Sequence, residues 1–414
     1  MREMKDSRIV WIGAIPKRWQ LSKIGSLYTQ RNEKVSDKDY QPLSVTMQGI
    51  LPQLATAAKT NDGGNRKLVR VGDFAINSRS DRRGSCGISP LDGSVSLINI
   101  ILTPRTAMHP GYYNWLFHTT LFADEFYKWG HGIVADLWTT RWQEMKSITV
   151  PVPEYAEQER IAAFLDAECA EIDAVLEKTR ASIEEYKKLK QAVITQAVTK
   201  GIRGDRPMKD SGIEWIGEIP AEWDVVPFSK FARVSANLVN PSDYQDYLQV
   251  SPENIEKDSG KLLPCKTVSE VGVESWNHLF HKGQILYSKI RPKLNKVCIA
   301  PFDGLCSADM YPIDTDNVSK FVVYTVLSND FYQQVAMITE NRVKMPKINQ
   351  KELSKLIVVL PVDRMEQQEI VDYLDDKCGR IDALIVKKQQ YLTEIENYKK
   401  SLIYEYVTGK KEVV

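Results

Sequence analysis

The sequence predicts an α+β protein with two globular mixed α/β domains in tandem, each followed by a long helix. Three observations point to this class. Segments in the first half of the chain recur in the second, the repeating unit is domain-sized, and a seven-residue hydrophobic period follows each globular part. Two such helices in one chain should pack as an antiparallel coiled coil with pseudo-twofold symmetry.

The duplication is clearest at the two ends of each unit. The pattern Trp-Ile-Gly-x-Ile-Pro-x-x-Trp begins at Trp11 and again at Trp215, and the Glu-Gln pair at 157–158 recurs at 366–367. The repeat is far longer than a solenoid repeat, so each copy should fold around its own core. The last residues also match the start of the linker between the copies, which gives the sequence an almost circular order.

Each globular part mixes short apolar runs with turn signals, which predicts strands with a few helices. Aromatic and leucine residues at helical intervals predict one helix at 112–129, with a counterpart at 321–335. Runs of β-branched residues that end in proline predict a closing strand in each unit, at 147–153 and 355–361.

A heptad pattern begins after each closing strand and predicts a helix that, from Glu157 to Thr199, is on the order of 65 Å long. Such a helix suits a spacer. Lys190 and Lys399 interrupt the two seams, and we expect them to help fix the antiparallel register. The predicted seam residues are Leu165, Ile172, Leu176, Ile183, Tyr186 and Val193 in the first helix and Leu374, Ile381, Ile385, Leu392, Ile395 and Leu402 in the second.

These patterns divide the chain into five segments. The first globular domain occupies 1–153, the first spacer helix 154–200, a glycine-rich charged linker 201–212, the second globular domain 213–361 and the second spacer helix 362–409.

Composition excludes several classes of protein. The 55 basic residues nearly balance the 54 acidic ones, so the net charge indicates neither a nucleic acid nor a membrane as a partner. The six cysteines form no Cys-x-x-Cys pair and the five histidines show no metal-ligand spacing, which favours reduced thiols and neither metal nor cofactor. With no signal-like start and no apolar stretch near the ~20 residues of a membrane span, we expect a soluble cytoplasmic protein.

No catalytic motif stands out. The chain lacks a phosphate-binding P-loop, a dinucleotide-binding glycine motif, a nucleophile elbow and the Asn/Asp-Pro-Pro-Tyr/Phe loop of DNA amino-methyltransferases. The nuclease-like Glu-x-Lys at 185–187 lies within the heptad seam and is better explained as helix surface. We therefore expect a chain without catalytic residues.

The basic residues are informative through their positions. Two clusters occupy matching places, just after residues 71–74 in one half and 282–285 in the other. One such cluster alone fits a solvated loop equally well, but its recurrence favours contacts with DNA phosphates and guanine edges. The predicted DNA-binding residues are Arg66, Lys67, Arg79, Arg82, Arg83, Lys289, Arg291, Lys293, Lys296, Arg342, Lys344 and Lys347.

The tryptophans of the repeated start fit a structural role better than base stacking. We expect Trp11, Trp19, Trp215 and Trp223 to anchor the cores of the two domains.

These features together resemble the specificity subunit of a type I restriction-modification system. The resemblance covers the whole chain and depends most on the duplicated Glu-Gln helix and the repeated Trp-Ile-Gly start. Small departures are Lys200, where the second copy has Gly409, and Ala156, where it has Met365.

The resemblance implies that each globular region is a target recognition domain for one half of a bipartite, asymmetric site in double-stranded DNA. The helices would form a spacer that docks two modification (methyltransferase) subunits, and restriction (nuclease and translocase) subunits would then join. The repeated segments would be scaffold, and the unlike interiors would read different sequences.

Two alternatives differ in class. The chain could be a bivalent protein-binding scaffold without direct DNA readout, which the absence of an associated methyltransferase would favour. It could also be a self-contained nuclease or methyltransferase, but that function requires the catalytic motifs that the sequence lacks.

Overall fold

A computed structural model describes residues 2–53, 63–132, 138–342, 344 and 346–413, and the chain divides into two compact units. Unit 1 comprises Met1–Arg180 with Gln390–Val414, and unit 2 comprises Ala181–Gln389. Each long helix therefore contributes residues to both units, whereas the sequence-based scheme assigned the helices to segments of their own.

Unit 1 begins with short strands and contains small helices before the first long one. Its strands are β1 (Met4–Asp6), β2 (Ala14–Pro16), β3 (Gln20–Lys23), β4 (Tyr28–Arg31), β5 (Lys34–Val35), β6 (Leu43–Thr46), β7 (Gly49–Pro52), β8 (Arg66–Val69), β9 (Phe74–Asn77), β10 (Cys86–Ile88), β11 (Gly93–Val95), β12 (Asn99–Pro104) and β13 (Thr149–Val152). Its helices are α1 (Ile24–Leu27), α2 (Pro110–Phe117), α3 (Thr120–Lys128), α4 (Trp142–Met145) and the first part of α5 (Tyr155–Lys200).

The main sheet of unit 1 is antiparallel, with strand order β10-β9-β12-β4. The closing strand β13 pairs with β3, so that Thr149 lies opposite Lys23 and the start of α5 is held next to the repeated N-terminal segment. A two-stranded sheet β1-β2, a three-stranded sheet of order β11-β8-β5 and the hairpin β6-β7 complete the described sheets of unit 1. The core packs aromatic side chains from these elements against α2 and α3, including Trp19, Tyr28, Phe74 and Phe117.

Unit 2 repeats this plan with a different interior. Its strands are β14 (Met208–Asp210), β15 (Glu218–Pro220), β16 (Asp224–Pro227), β17 (Arg233–Val234), β18 (Leu238–Val239), β19 (Leu248–Val250), β20 (Lys266–Thr267), β21 (Asn277–Phe280), β22 (Ile285–Ser288), β23 (Val297–Ile299), β24 (Gly304–Cys306), β25 (Met310–Asp314) and β26 (Ile357–Leu360). Its helices are α6 (Phe228–Phe231), α7 (Val268–Val271), α8 (Ser319–Leu327), α9 (Asn329–Thr339), α10 (Gln350–Leu353) and the first part of α11 (Arg364–Val407).

Each unit has a four-stranded sheet with the same strand order, but the units differ in another of their sheets. The antiparallel sheet β17-β25-β22-β23 of unit 2 has the same order of equivalent strands as the main sheet of unit 1. Unit 2 also contains a five-stranded sheet, β18-β21-β24-β19-β20, in which β19 and β24 are parallel. This difference lies in the unlike interiors, where different sequences should produce different surfaces.

The single helix predicted in each globular part is wrong, because the structure has two helices there. The Thr119 side chain caps α3 by accepting a hydrogen bond from the Phe122 backbone at 3.2 Å, and Ser328 caps α9 through Phe331 in the same way. A hydroxyl at this position satisfies a free N–H of a new first turn, so the chain turns between two helices although the hydrophobic spacing continues.

Within each unit the two long helices run antiparallel. In unit 1 the Lys399 ammonium lies 2.7 Å from both carboxylate oxygens of Asp173, and Arg180 lies 2.6 Å from Glu396. In unit 2 Lys190 lies 2.8 Å and 2.9 Å from the two carboxylate oxygens of Asp382. The two lysines that interrupt the seams therefore make equivalent ion pairs, each with the aspartate of the opposite helix.

The predicted seam residues differ in how deeply they are buried. The buried ones are Leu165, Leu176, Ile183, Leu374, Ile381 and Leu402, and the partly buried ones are Ile172, Tyr186, Val193, Ile385, Leu392 and Ile395. Leu165, Leu374 and Leu402 belong to the hydrophobic cores of the units, whereas the three seam residues between 385 and 395 are only partly buried. Among the described residues, no helix combines the length and apolar character needed to cross a membrane.

The repeated Glu-Gln pair has a structural explanation in unit 1. The carboxylate of Glu157 accepts a hydrogen bond from the Trp19 indole at 3.0 Å and pairs with Arg2, which also stacks over the Trp19 ring. Gln158 accepts a hydrogen bond from the His109 backbone, which precedes α2, and donates one to the carbonyl of residue 153. The pair thus joins the start of α5 to the N-terminal segment and to α2.

Unit 2 repeats these contacts. Glu366 accepts from the Trp223 indole at 3.1 Å and lies 2.5 Å from Arg206, which stacks over the Trp223 ring. Gln367 bridges the Val318 backbone and the carbonyl of residue 361. The recurring residues therefore form the same buried cluster twice, which supports their interpretation as scaffold.

The departure at Lys200 also has an explanation. Lys200 donates to the Ile216 carbonyl at 2.7 Å in unit 2, and Lys410 donates to the equivalent Ile12 carbonyl at 2.6 Å in unit 1. The lysine has shifted by one residue between the copies while its contact is kept. In unit 1 the segment after α11 thus holds the first Trp-Ile-Gly segment as the linker after α5 holds the second.

The expectation that all four tryptophans are core anchors is correct for three of them. Trp11, Trp19 and Trp223 are buried, but Trp215 is 54% exposed. Trp11 packs edge-on against Phe122 with ring centroids 5.9 Å apart. Trp215 instead lies at the rim of a surface groove beside the last turns of α5, so the same motif packs differently in the two units.

Candidate nucleic-acid interface

The basic clusters of unit 2 meet in one place, which we call loop pair 2: residues 289–296 between β22 and β23, with residues 346–348. The Arg291 backbone N–H donates to the Pro346 carbonyl at 2.8 Å, and Ile348 donates to the Lys289 carbonyl at 2.9 Å. Ile290 and Lys347 form an antiparallel bridge between these bonds. Two basic runs that are far apart in sequence therefore lie side by side.

Unit 1 contains the equivalent arrangement, loop pair 1: residues 78–85 between β9 and β10, with residues 138–140. The Ser80 N–H donates to the Trp138 carbonyl at 2.9 Å, and the Thr140 N–H donates to the Ser78 carbonyl at 3.0 Å. Arg79 and Thr139 form an antiparallel β-bridge between these bonds. These three links match the three links of loop pair 2 residue by residue. The two modules thus present the same local framework with different side chains.

Five predicted DNA-binding residues are exposed and available at or beside these loops. Arg79, Arg291, Lys293 and Lys344 are exposed, and their side chains have no ion-pair or hydrogen-bond partner within the described part of the chain. Arg82 is 68% exposed and lies 3.7 Å from its neighbour Asp81. An exposed cation without a strong partner can contact a phosphate without first breaking an internal ion pair.

Three other predicted residues are exposed or partly exposed but already paired. Arg83 pairs with Asp124 and stacks over Tyr127. Arg342 makes a two-pronged contact with Glu352, with N–O distances of 2.5 Å and 3.1 Å, and Lys347 lies 3.1 Å from Asp309. The Arg342 guanidinium also donates to the carbonyl of Lys347, so we infer that Arg342 positions this loop.

The remaining four predicted residues serve the fold in this structure. Arg66 is 5% exposed and donates to Ser94, and burial lowers its pKa. Burial also lowers the pKa of Lys67, which donates to the Asn99 carbonyl at 2.7 Å. Lys296 donates to the Pro252 carbonyl at 2.6 Å. Lys289 lies over the Tyr311 ring, 5.2 Å from its centroid.

Two features of the loop pairs have no signal in the sequence. Trp138, 41% exposed, lies directly at loop pair 1, but its contact with residue 80 depends on a pairing between distant segments. In loop pair 2 a single 3₁₀ turn, Pro292–Leu294, is flanked by two non-glycine residues with left-handed backbone, Arg291 (φ 44°) and Asn295 (φ 46°).

Comparison with known proteins gives a consistent result. A family model described as the type I restriction modification DNA specificity domain matches residues 224–396. The chain is also similar to the type I restriction enzyme EcoDI specificity subunit of Escherichia coli, with 34% identity over 286 residues that cover 64% of this chain and 63% of that protein. The match thus spans less than two thirds of that relative's length.

Two solved structures share the fold at low sequence identity. One chain comes from a study of the structural basis of complex assembly and conformational transition of the type I R-M system; its TM-score is 0.73, its identity 14%, and the match covers 96% of this chain and 99% of that one. The other is the HsdS subunit from Thermoanaerobacter tengcongensis, with a TM-score of 0.50, 15% identity, and coverage of 96% of this chain and 98% of that one.

Proposed function

We propose that this chain, which is similar in sequence to type I restriction-modification specificity subunits, binds a bipartite, asymmetric site in double-stranded DNA, one half-site per unit. The observation that carries the proposal is the recurrence of the loop pair. Two modules hold the same loops with the same backbone hydrogen bonds, and both loops present exposed arginines or lysines. A repeated frame with unlike side chains suits two half-sites of different sequence.

The exposed lysines and arginines are suited to different contacts with DNA. Flexible lysines such as Lys293 and Lys344 are suited to phosphate contacts, which position the protein and make affinity depend on salt. Arginines at the loops, Arg79 and Arg82 in unit 1 and Arg291 in unit 2, can also donate two parallel hydrogen bonds to a guanine edge. The four basic residues that serve the fold are left out of the proposed contact set.

The long helices would set the distance between the half-sites. Helix α5 has 46 residues and α11 has 44, and their register within each unit is tied by the Lys–Asp pairs. A rigid spacer converts protein length into a fixed base-pair gap, since half-sites on one face of B-DNA recur about every 34 Å. Removal of one matched heptad from both helices should shorten the accepted gap; a variant with an unchanged target would contradict the spacer role.

The helices also present exposed apolar side chains outside their seams, which we propose as docking surface for the modification subunits. In unit 1, Tyr391 and Tyr398 are 48% and 55% exposed, and in unit 2 Leu189 and Leu384 are 48% and 41% exposed. Leu189 and Tyr398 occupy equivalent positions of the two helices, and an exposed apolar group at the same place in both copies suits a surface that a partner covers. Restriction subunits would join the DNA-bound complex through the modification subunits.

The test uses the full chain co-expressed with its methyltransferase partner, with the methylated motif read by methylome sequencing. We expect a two-part motif with a fixed gap. Arg79→Ala with Arg82→Ala should relax or abolish one half of the motif, and Arg291→Ala with Lys293→Ala the other half. Lys17→Ala removes an exposed charge remote in sequence from both loop pairs and should leave the motif intact. If methylation shows no bipartite motif, or if both double variants alter the same half, the proposal fails.

A further inference from the structure

We propose that Arg291 determines specificity for a guanine in the half-site bound by unit 2. The inference rests on the proposed function and adds to it a named base, a named side chain and a physical reason why this residue stands at this position.

The backbone of Arg291 is strained. Its φ of 44° and ψ of 52° lie in the left-handed region, which glycine adopts without penalty and an arginine does not. The next residue is Pro292, whose ring further restricts the residue before it. A glycine would adopt this backbone conformation at lower energy, so the arginine side chain does not stabilise the local backbone. Strain of this kind concentrates at functional sites, where surrounding contacts hold it in place.

Those contacts are present on both sides of the residue. The Arg291 N–H is bonded to Pro346, its carbonyl accepts from Leu294 at 2.8 Å, and the Ser288 hydroxyl donates to the Ile290 carbonyl at 3.0 Å. Asn295, the second left-handed residue, is buried and its N–H donates to the Pro292 carbonyl. The loop therefore holds the Arg291 Cα–Cβ bond in one direction.

The side chain that this backbone carries is exposed and unpaired within the described residues. It lines a cleft of about 330 Å³ together with Ser251, Glu253, Ser288 and Lys296. A phosphate contact needs no fixed backbone, because the nearby flexible Lys293 can make it without strain. A two-pronged contact with O6 and N7 of guanine does need a fixed direction, and the rigid planar guanidinium is preorganised for it, whereas a lysine ammonium is a flexible point charge.

The equivalent position in unit 1 is different. Ser80 occupies it, in a 3₁₀ turn, and is not among the residues with positive φ. A base read by Arg291 would therefore have no counterpart read in the same way by unit 1. That is the outcome expected of two modules that recognise an asymmetric site.

The experiment compares four variants of the full chain in complex with the methyltransferase partner. Arg291→Gly removes the side chain and the strain, and Arg291→Lys keeps a charge but loses the planar fork. Asn295→Gly is the matched control for backbone strain in the same loop, and Lys293→Ala is the matched control for charge. Each complex is tested for its methylation motif, for binding to the specific duplex and to a nonspecific duplex, and for its melting temperature.

We expect Arg291→Gly and Arg291→Lys both to make one G·C position of the unit 2 half-site degenerate. Specific binding should weaken about 5- to 140-fold, with nonspecific binding changed far less. Arg291→Gly should leave the melting temperature unchanged or raise it, because glycine suits the left-handed backbone. Lys293→Ala should weaken binding to both duplexes and leave the motif unchanged, and Asn295→Gly should leave the motif unchanged.

The proposal is overturned if Arg291→Lys retains the full motif, if the unit 2 half-site has no G·C position that responds, or if Lys293→Ala relaxes the same base pair. Failure of the proposed function is a separate result, since the wild-type complex would then yield no bipartite motif at all.

Discussion

The duplicated Glu-Trp-Arg cluster makes a quantitative prediction about Glu366. Its side chain is 3% exposed, and it is shared between the Trp223 indole at 3.1 Å and the Arg206 guanidinium, which is 8% exposed, at 2.5 Å. Glu366→Ala removes the acceptor of a buried donor and the main partner of a buried cation in one step. We expect the junction of α11, β16 and the linker in unit 2 to open more readily.

The magnitude follows from these contacts. Removal of one partner of a buried ion pair costs about 3–5 kcal/mol, and the lower end applies because Arg206 also pairs with the more exposed Glu222. The lost indole hydrogen bond adds about 1 kcal/mol. The free energy of local opening should therefore fall by about 3–4 kcal/mol. Glu366→Gln keeps an acceptor for the indole, and we expect about half that loss.

Hydrogen exchange with mass spectrometry measures this opening directly. A loss of about 3–4 kcal/mol corresponds to a 100- to 1000-fold fall in protection, since 1.4 kcal/mol is about tenfold. The fall should appear in the second turn of α11 and in β16. The equivalent amides of α5 and β3 in unit 1 are the internal control, because their own cluster around Glu157 is intact. A fall below tenfold in unit 2, or an equal fall in unit 1, would refute the reasoning.

Three further predictions concern stability. Asp382→Leu should lower the free energy of urea unfolding by about 1–2 kcal/mol, because Lys190, whose side chain is 14% exposed, loses its ion-pair partner. Adding Lys190→Leu should recover most of that loss, and a double variant no more stable than the single one would contradict this reasoning. Burial favours the protonated form of Glu157, but hydrogen bonds from Arg2 and the Trp19 indole outweigh burial and lower the pKa of Glu157 below 4.5. The ionised carboxylate therefore contributes its full stability above pH 4.5, and this stability is lost as the pH falls through the lower pKa of the folded state. The melting temperature of Glu157→Gln should accordingly depend less on pH below 4.5 than that of the wild type. Trp11→Ala should cost about 3–5 kcal/mol and Trp215→Ala about 0.5 kcal/mol or less, because the exposures are 6% and 54%; equal losses in thermal unfolding would contradict the difference in packing.

Much of the fold could be predicted because its signals are local and repeated. Helices α5 and α11, of 46 and 44 residues, follow from a heptad period that is repeated in both halves of the chain. The lysines at 190 and 399 were expected to fix the register, and the structure supplies their partners, Asp382 and Asp173. The family resemblance drawn from the repeated segments is confirmed by the comparisons.

The predictions that failed depend on competition between local and distant contacts. The hydrophobic spacing of residues 112–129 is compatible with one helix, but the hydroxyl of Thr119 caps a second helix instead. Identical Trp-Ile-Gly segments predict identical packing, yet Trp215 is exposed where Trp11 is buried against Phe122. Neither outcome is encoded in the spacing of the residues concerned.

By itself the sequence determined the duplication, the strands that close each unit, the two antiparallel helices and the regions where basic residues collect. Periodicity and repetition carry this information, and both are properties of neighbours along the chain. Only the tertiary structure decided which basic side chains are free. Arg66 is enclosed by β11, Arg342 is held by Glu352, and Arg291 is held outward by a strained loop bonded to residue 346. Each of these outcomes depends on a contact that the spacing of neighbouring residues does not specify, because an ion pair or a loop conformation is set by what folding brings within a few ångströms.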